Sequence, residues 1–228
     1  MLDRHQSVAN LVLDHSECAE VLARHHIDFC CRGGLSIEAA AAAKRVDPDA
    51  LLGELSRVIE QRLGDRTSDL RKLSTPGLID HIVSIHHEYT RTALPFIGTL
   101  ADRVSRVHGE HNPKLRVLAS AVDELSTTLI SHLEQEEQAL FPALLAASGD
   151  SALIAEQLAA MVEEHSAIGY FLEWIREVSD DFRVPGWACQ SYRTLFAELE
   201  HLEHDVHTHV HIENHVLAPR FGIEVPAR

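Results

Sequence analysis

Two segments of the chain, HLEQEEQALFP at 132–142 and HVHIENHVLAP at 209–219, carry His, Glu, Leu and Pro at the same offsets. In each, an imidazole and a carboxylate stand four residues apart, which on an α-helix puts them one turn apart on one face. Both groups ligate metal ions and both titrate. The repeat therefore asks whether His132, Glu136, His209 and Glu213 look into a core or out to water. The second segment is crowded: HTHVHIENHV, 207–216, has His207, His209, His211 and His215, and as a strand it would line one side with ligands.

Apolar spacing decides between strand and helix. Leu195, Leu199, Leu202 and Val206 step by three or four residues, and the step continues to His209, Glu213 and Val216. His204, His207, His211 and His215 then fall on the opposite side, where an outward, solvated face is expected. An earlier helix repeats the register with Leu118, Val122, Leu125, Leu129, His132, Glu136 and Ala139. Another runs Ile154, Leu158, Met161, His165, Ile168, Leu172 and Ile175, with one His on the stripe. In the remaining helix Ile79, Ile82, Val83, Leu94 and Ile97 define a stripe that His86 fits well and His87 only at its edge.

A lone core histidine is usually neutral and hydrogen-bonded. A core glutamate is harder to explain, because a buried carboxylate is costly unless it is paired or on a metal. Two such Glu, each one turn from a His and joined by core His from two further helices, point to a metal site. The bland alternative is an inward hydrogen-bonded network. Four imidazoles and two carboxylates suit iron, manganese or zinc, and two carboxylates able to bridge suggest two ions. Ferritin-like di-iron bundles use Glu-x-x-His pairs, whereas the motif here is His-x-x-x-Glu, which disfavours that architecture.

Positioning these residues takes long helices, and the chain supplies them. It has 228 residues, 45% of them hydrophobic and 24% charged, as in a globular protein able to bury a large core. Period-two alternation is nearly absent, so the chain reads as all-α. Short helical patterns fill residues 5–63. They are broken at HIDFCCRGGLS, where Gly33 and Gly34 are expected to stop the second helix and Ser36 to cap the next. Asp47-Pro48 supplies a cap and a first-turn proline. Polar GDRTSDLRKLSTPG follows, and then four helices, about 78–108, 114–141, 151–180 and 189–217. The expected organisation is a small helical domain at 1–66, a linker at 67–77 and an antiparallel four-helix bundle at 78–228.

Lys and Arg number 20 against 35 Asp and Glu, and a net charge of −15 excludes a nucleic-acid binder. The N-terminus lacks a secretory pattern, and no apolar run approaches the roughly 18 residues of a membrane span. Four cysteines are too few for a disulfide scaffold. A cytoplasmic location away from the membrane is expected.

The two His-x-x-x-Glu motifs, each ending in a downstream proline, with single His on the other two helices, resemble the hemerythrin-like di-iron bundle over residues 78–220. The resemblance implies the ligands His87, His132, Glu136, His165, His209 and Glu213, with Glu136 and Glu213 bridging two non-haem irons that can also share an oxo bridge. For the first helix, the family pattern of a His followed by an acidic residue, with Pro eight positions after the His, selects His87, Glu88 and Pro95 over His86. Oxygen-carrying hemerythrins use five His and four are placed here, which implies irons more open to small ligands.

Cys30 and Cys31 are adjacent, so an easy disulfide between them is ruled out by the geometry such bonds require. Neighbouring cysteines are commonly small, partly buried residues, and the functional alternatives are a reactive or a metal-binding pair. Cys18 and Cys189 read as core fillers. A short helical domain carrying D-F-C-C-x-G-G ahead of a hemerythrin-like bundle is similar to the repair of iron centres family. That resemblance implies a di-iron protein of the nitrosative and oxidative stress response, repairing damaged iron–sulfur clusters by iron donation, binding nitric oxide at the irons, or both. It implies a role for Cys30 and Cys31 in redox or in iron or nitrosyl transfer. Damaged iron–sulfur proteins are the implied partners, nitric oxide or oxygen the small ligand, and a homodimer is compatible. The alternatives are a nitric oxide or oxygen buffer or sensor without repair, and a reductase forming nitrous oxide.

Overall fold

The computed structural model describes residues 2–61, 69–146 and 151–223. Among them the fold is all-α, with one isolated bridge, Ser7 to Ser36, in place of any strand. No helix among the described residues is long and apolar enough to cross a membrane. The chain forms two compact units, Met1–Leu78 with His207–Arg228, and Ile79–Val206, the second boundary falling inside the last long helix.

The first unit begins with α1 (Val8–Asp14), where the Ser7 hydroxyl accepts the Asn10 N–H, and α2 (Cys18–Arg24). Gly33 and Gly34 do not stop α2, contrary to the expectation. It ends at Arg24, and His26 turns the chain in the left-handed region at φ 54°. In α3 (Ile37–Ala43) Ser36 caps Ala39, as its position suggests. In α4 (Pro48–Gln61) the Asp47 carboxylate accepts the Asp49 N–H at 2.9 Å. Gly33 has another use. A Cβ there would lie 2.3 Å from the Phe29 carbonyl oxygen and 2.7 Å from Ala9 Cβ, so only glycine lets the loop close on α1. The Ala9 N–H donates to the Gly33 carbonyl at 2.9 Å across that approach.

The expected linker at 67–77 lies partly outside the described residues. Its described part holds a short 3-10 turn (Leu70–Lys72) and the start of α5 (Thr75–His81), earlier than the expected 78. The second unit carries the bundle: a π segment (Ile82–His87), α6 (Glu88–His108), α7 (Lys114–Gln135), a second π segment (Glu136–Leu140), α8 (Phe141–Leu145), α9 (Ser151–Val178) and α10 (Gln190–Ile212) as far as Val206. The connection expected at ASGD, 147–150, lies outside the described residues. Contacts between helices show their directions. Arg91 near the start of α6 bonds Glu137 just past α7. Tyr89 packs on His201, and His108 at the end of α6 meets Tyr192 near the start of α10. Thus α6 runs antiparallel to α7 and to α10.

The stripes read from the sequence line this core: Leu118, Val122, Leu125 and Leu129 from α7, Leu158, Met161, Ile168 and Leu172 from α9, and Leu195, Leu199 and Leu202 from α10 are all buried. Fully burying one such side chain contributes about 1.5–3 kcal/mol. Ala139 departs from its stripe. It is exposed while Leu140 is buried, because the π segment from Glu136 inserts an extra residue into the turn.

Candidate metal centre

In the second unit, four of the six expected ligands meet around Glu136. The residue is 2% exposed, and among the described residues neither carboxylate oxygen accepts a hydrogen bond. Three imidazole nitrogens face it: His132 Nε2 at 3.2 Å, His87 Nε2 at 3.5 Å and His165 Nε2 at 3.8 Å. His132 Nε2 also lies 3.0 Å from His165 Nε2.

The outer nitrogens determine what the inner ones present. His132 Nδ1 lies 2.9 Å from Glu164 Oε2, and His87 Nδ1 lies 2.7 Å from Glu137 Oε1. An ionised carboxylate only accepts, so each Nδ1 carries the proton and, in the neutral ring, Nε2 turns a lone pair inward. Arg91 Nη1 donates to the same Glu137 oxygen at 2.7 Å. Burial works against the charge on Glu137, but the hydrogen bonds from Arg91 and His87 outweigh it and hold its carboxyl below the usual range. The His87 ring stacks on Phe141, centroids 5.8 Å apart.

His132 Nε2 and His165 Nε2 share a hydrogen bond, while the buried Glu136 oxygens lack one among the described residues, each at a cost of about 1–3 kcal/mol. A cation removes that penalty, and a ligating His with a carboxylate behind it is the usual outer arrangement of a metal site. Nitrogen and oxygen donors without thiolate fit iron.

π segments position these groups. The wider turn at Ile82–His87 slips the helical phase by a residue, so both His86 and His87 are buried. His86 Nδ1 meets Asp205 Oδ1 at 2.9 Å, and His87 reaches Glu136 and Glu137. Regular spacing favoured His86 because it assumed an unbroken α-helix. Glu136 opens the second π segment, and Glu213 opens a third, Glu213–Leu217. A cleft of about 170 Å³ beside Glu136 is lined by Gln135, Leu140, Gln157, Met161 and Glu164. The sequence reading missed Glu137, Glu164, Arg91 and Asp205. Two of them sit next to expected ligands, Glu137 beside Glu136 and Glu164 beside His165, and that adjacency was the available signal.

In the first unit, His209 and Glu213 are buried, with His209 Nε2 3.1 Å from Glu213 Oε2. The histidines expected to be solvated are not on a free face. His211 is buried and its Nδ1–H donates to the Phe29 carbonyl at 3.1 Å, and His215 Nε2 lies 2.7 Å from the Cys30 carbonyl oxygen. Asn214 donates to the same Cys30 carbonyl at 3.2 Å, and His207 packs edge-on against the Phe29 ring. His204 is half-buried. Burial pushes the His211 pKa down to about 3, with His215 adding to the effect, and burial also lowers His215, so both act as neutral rings. The helix face that counting turned outward thus holds the Cys-Cys loop.

That loop places Cys30 and Cys31 against Asp28. Asp28 Oδ1 accepts the Cys30 N–H at 3.0 Å, the Cys31 N–H at 2.8 Å and the Cys30 thiol at 3.2 Å. The two sulfurs are 3.6 Å apart. A hydrogen bond with Cys31, burial and the charge of Asp28 together raise the Cys30 thiol well above its ordinary value, so it stays protonated. None of the four cysteines forms a disulfide. Cys18 is buried as expected, whereas Cys189 is exposed, 3.1 Å from His108 Nε2, and fills no core.

Two family descriptions match parts of the chain, and full-length relatives match nearly all of it. Residues 78–221 match the hemerythrin HHE cation binding domain, and residues 4–59 match a domain of unknown function, DUF542. The chain is 31% identical over 224 residues to the iron-sulfur cluster repair protein ScdA of Staphylococcus haemolyticus, covering 97% of this chain and 100% of that protein. It is 32% identical over 220 residues to the iron-sulfur cluster repair protein YtfE of Enterobacter, covering 96% and 98%. With YtfE of Yersinia pseudotuberculosis it shares 31% over 217 residues, covering 95% and 96%.

Proposed function

The chain belongs to the hemerythrin HHE family and, over nearly its whole length, to the iron–sulfur cluster repair proteins, and from that premise we propose that it is a di-iron protein that restores damaged iron–sulfur clusters under nitrosative or oxidative stress. His87, His132, Glu136 and His165 would hold the irons together with His209 and Glu213, which the family pattern joins to them, and Glu136 and Glu213 would supply the carboxylates able to bridge. Residues 78–228 act as the metal-binding bundle, 67–77 as a linker and 1–66 as the module that brings Cys30 and Cys31 to the work. The setting is the cytoplasm.

One observation carries the reading: a buried carboxylate without a hydrogen bond faces imidazole nitrogens whose opposite edges rest on Glu137 and Glu164. Two irons held there supply exchangeable positions and a store of metal for a stripped cluster. The chain's own residues do the rest. Glu137 and Glu164 keep the protons on Nδ1, so Nε2 remains a donor to metal. Arg91 neutralises Glu137 on the outer side, and Phe141 fixes the plane of the His87 ring. A ligand set of nitrogen and oxygen without sulfur would leave the iron open to exchange with the softer thiolates that iron–sulfur sites use.

The test is metal content with repair. The purified protein carries about two irons per chain, Glu136→Ala falls below one, and the iron-loaded protein reactivates a cluster-damaged dehydratase. A folded protein that takes up no iron defeats the proposal. A second reading, capture of nitric oxide or oxygen, is favoured by the cleft beside Glu136, which is large enough for a diatomic molecule. Stoichiometric nitrosyl formation without iron loss favours that reading over repair, and nitrous oxide released under reducing conditions makes the protein a reductase.

A further inference from the structure

Asp28, Cys30 and Cys31 lie in the first unit, and their ligand atoms lie within 4.8 Å of one another. We propose that these three side chains form a second metal site, separate from the di-iron ligands, which takes one divalent transition-metal ion and leaves it one position for an exogenous ligand. The claim that iron is the cargo rests on the repair reading. The site itself does not.

The spacing matches that of a coordinated pair. Two thiolates bound tetrahedrally at about 2.3 Å lie about 3.8 Å apart. Cys30 Sγ and Cys31 Sγ are already 3.6 Å apart, with the Asp28 oxygen 3.2 Å from Cys30 Sγ. A disulfide needs about 2.05 Å, so the pair is spaced for a shared ion and not for a bond to each other.

The loop is held in that shape from both sides. Asp28 accepts the two backbone N–H groups at 3.0 and 2.8 Å, while His215 and Asn214 hold the Cys30 carbonyl and His211 holds that of Phe29. Preorganised ligands lose little freedom on binding. The metal-free state is a pair of thiols, so uptake of one ion replaces two S–H bonds by two metal–sulfur bonds and releases two protons to solvent, with no change of oxidation state. The Cys30 thiol then no longer donates to Asp28, which frees that carboxylate oxygen to ligate. The complex carries one net negative charge, and Arg32 Nε stands 3.4 Å from Asp28 Oδ2 to offset it.

Among the described residues no fourth His, Cys, Asp or Glu atom joins these three within the same distance. Structural zinc sites are closed by four protein ligands, whereas three leave a position for exchange. Thiolates suit borderline-soft ions, iron(II), cobalt(II) and zinc(II) among them. Such a site suits passing an ion on better than storing it.

The experiment titrates the full chain, reduced and under anaerobic conditions, with cobalt(II), and follows thiolate-to-cobalt charge-transfer absorption. The wild type is expected to show the band. Glu136→Ala should keep it, because that variant disables only the bundle. Cys30→Ser and Cys31→Ser should each lose at least half the band, and Asp28→Asn should weaken binding about ten- to hundredfold. Proton release of two per ion supports the same site in the unmodified protein, without reliance on any variant. Absence of the band in folded wild type overturns the proposal, as does a band that survives both serine variants or disappears with Glu136→Ala. If the band behaves as expected but the cysteine variants reactivate damaged clusters at the wild-type rate, the site stands and its part in repair is refuted.

Discussion

At Glu136 and at the Cys30–Cys31 loop, histidines are held by hydrogen bonds of similar length: 2.7 and 2.9 Å for His87 and His132, 3.1 and 2.7 Å for His211 and His215. The partners differ. His87 and His132 rest on charged carboxylates and turn their other nitrogens toward a third carboxylate. His211 and His215 sit beside the backbone carbonyls of a loop, and the His211 ring lies against those of Phe29 and His215. In the first region the polar groups lack something, and a cation completes them. In the second the rings are neutral and hold a backbone in place through one edge each, although His211 Nε2 on the far edge is buried without a partner among the described residues. The same residue type at one-turn spacing is therefore a ligand or a clamp according to what lies on its far side.

The sharpest way to break this comparison is to remove the carboxylate that separates the two regions in kind. Glu136→Leu in metal-free protein is expected to raise stability by about 1–3 kcal/mol, since it deletes an unsatisfied buried group. In iron-loaded protein the same change lowers stability, because bound metal contributes through the folded state alone. Urea denaturation of both forms reads the sign. If metal-free Glu136→Leu is less stable than wild type, Glu136 is satisfied without a cation, and the first region is a hydrogen-bonded network like any other.

Much of this contrast was legible in the sequence, and the part that was not has physical causes. The stripes on α7, α9 and α10 follow directly from apolar spacing, and they place His132, Glu136, His165, His209 and Glu213 in the interior. The choice between His86 and His87 could not be read from regular spacing, because the π segment slips the phase there. Ala139 was misplaced for the same reason one turn beyond Glu136. Counting along one helix turns His211 and His215 toward solvent, because it gives a direction but not what lies in that direction. A non-local partner, the loop at Phe29–Cys30, leaves no periodic trace. Residue type alone puts Cys189 in the core, whereas it is exposed just before α10.

Gly33→Ala probes the clamp without touching the metal ligands. The added methyl would meet the Phe29 carbonyl oxygen, Ala9 Cβ and, at 2.9 Å, His215 Nε2, and two of these three obstacles are not the ends of flexible side chains. The expected cost is about 1–3 kcal/mol, the range for overpacking. Native-state hydrogen exchange should place the loss in the first unit, with iron content unchanged. A drop in iron with no change in exchange at 28–35 would mean that the loop does not depend on this approach.

The smallest expected effect concerns alkaline pH, where the two regions should part again. Cys18 is fully buried in the first unit, and burial, with a smaller contribution from Glu17, pushes its thiol up to about 12. The group is neutral in the folded state and ionises in the unfolded chain near its ordinary value of 9.0. Its raised pKa means that the unfolded state loses a proton first as pH climbs. The contribution is therefore fully present below pH 9 and is lost between pH 9 and about 12. The loss is on the order of 1 kcal/mol by pH 10. Cys18→Ala lowers stability at neutral pH by leaving a small void, yet it should flatten the slope above pH 9. Equilibrium unfolding at pH 8 and pH 10 measures both effects. An unchanged slope in Cys18→Ala would assign the alkaline loss to other groups, with Tyr89 of the second unit, raised by burial to about 12, the next to test.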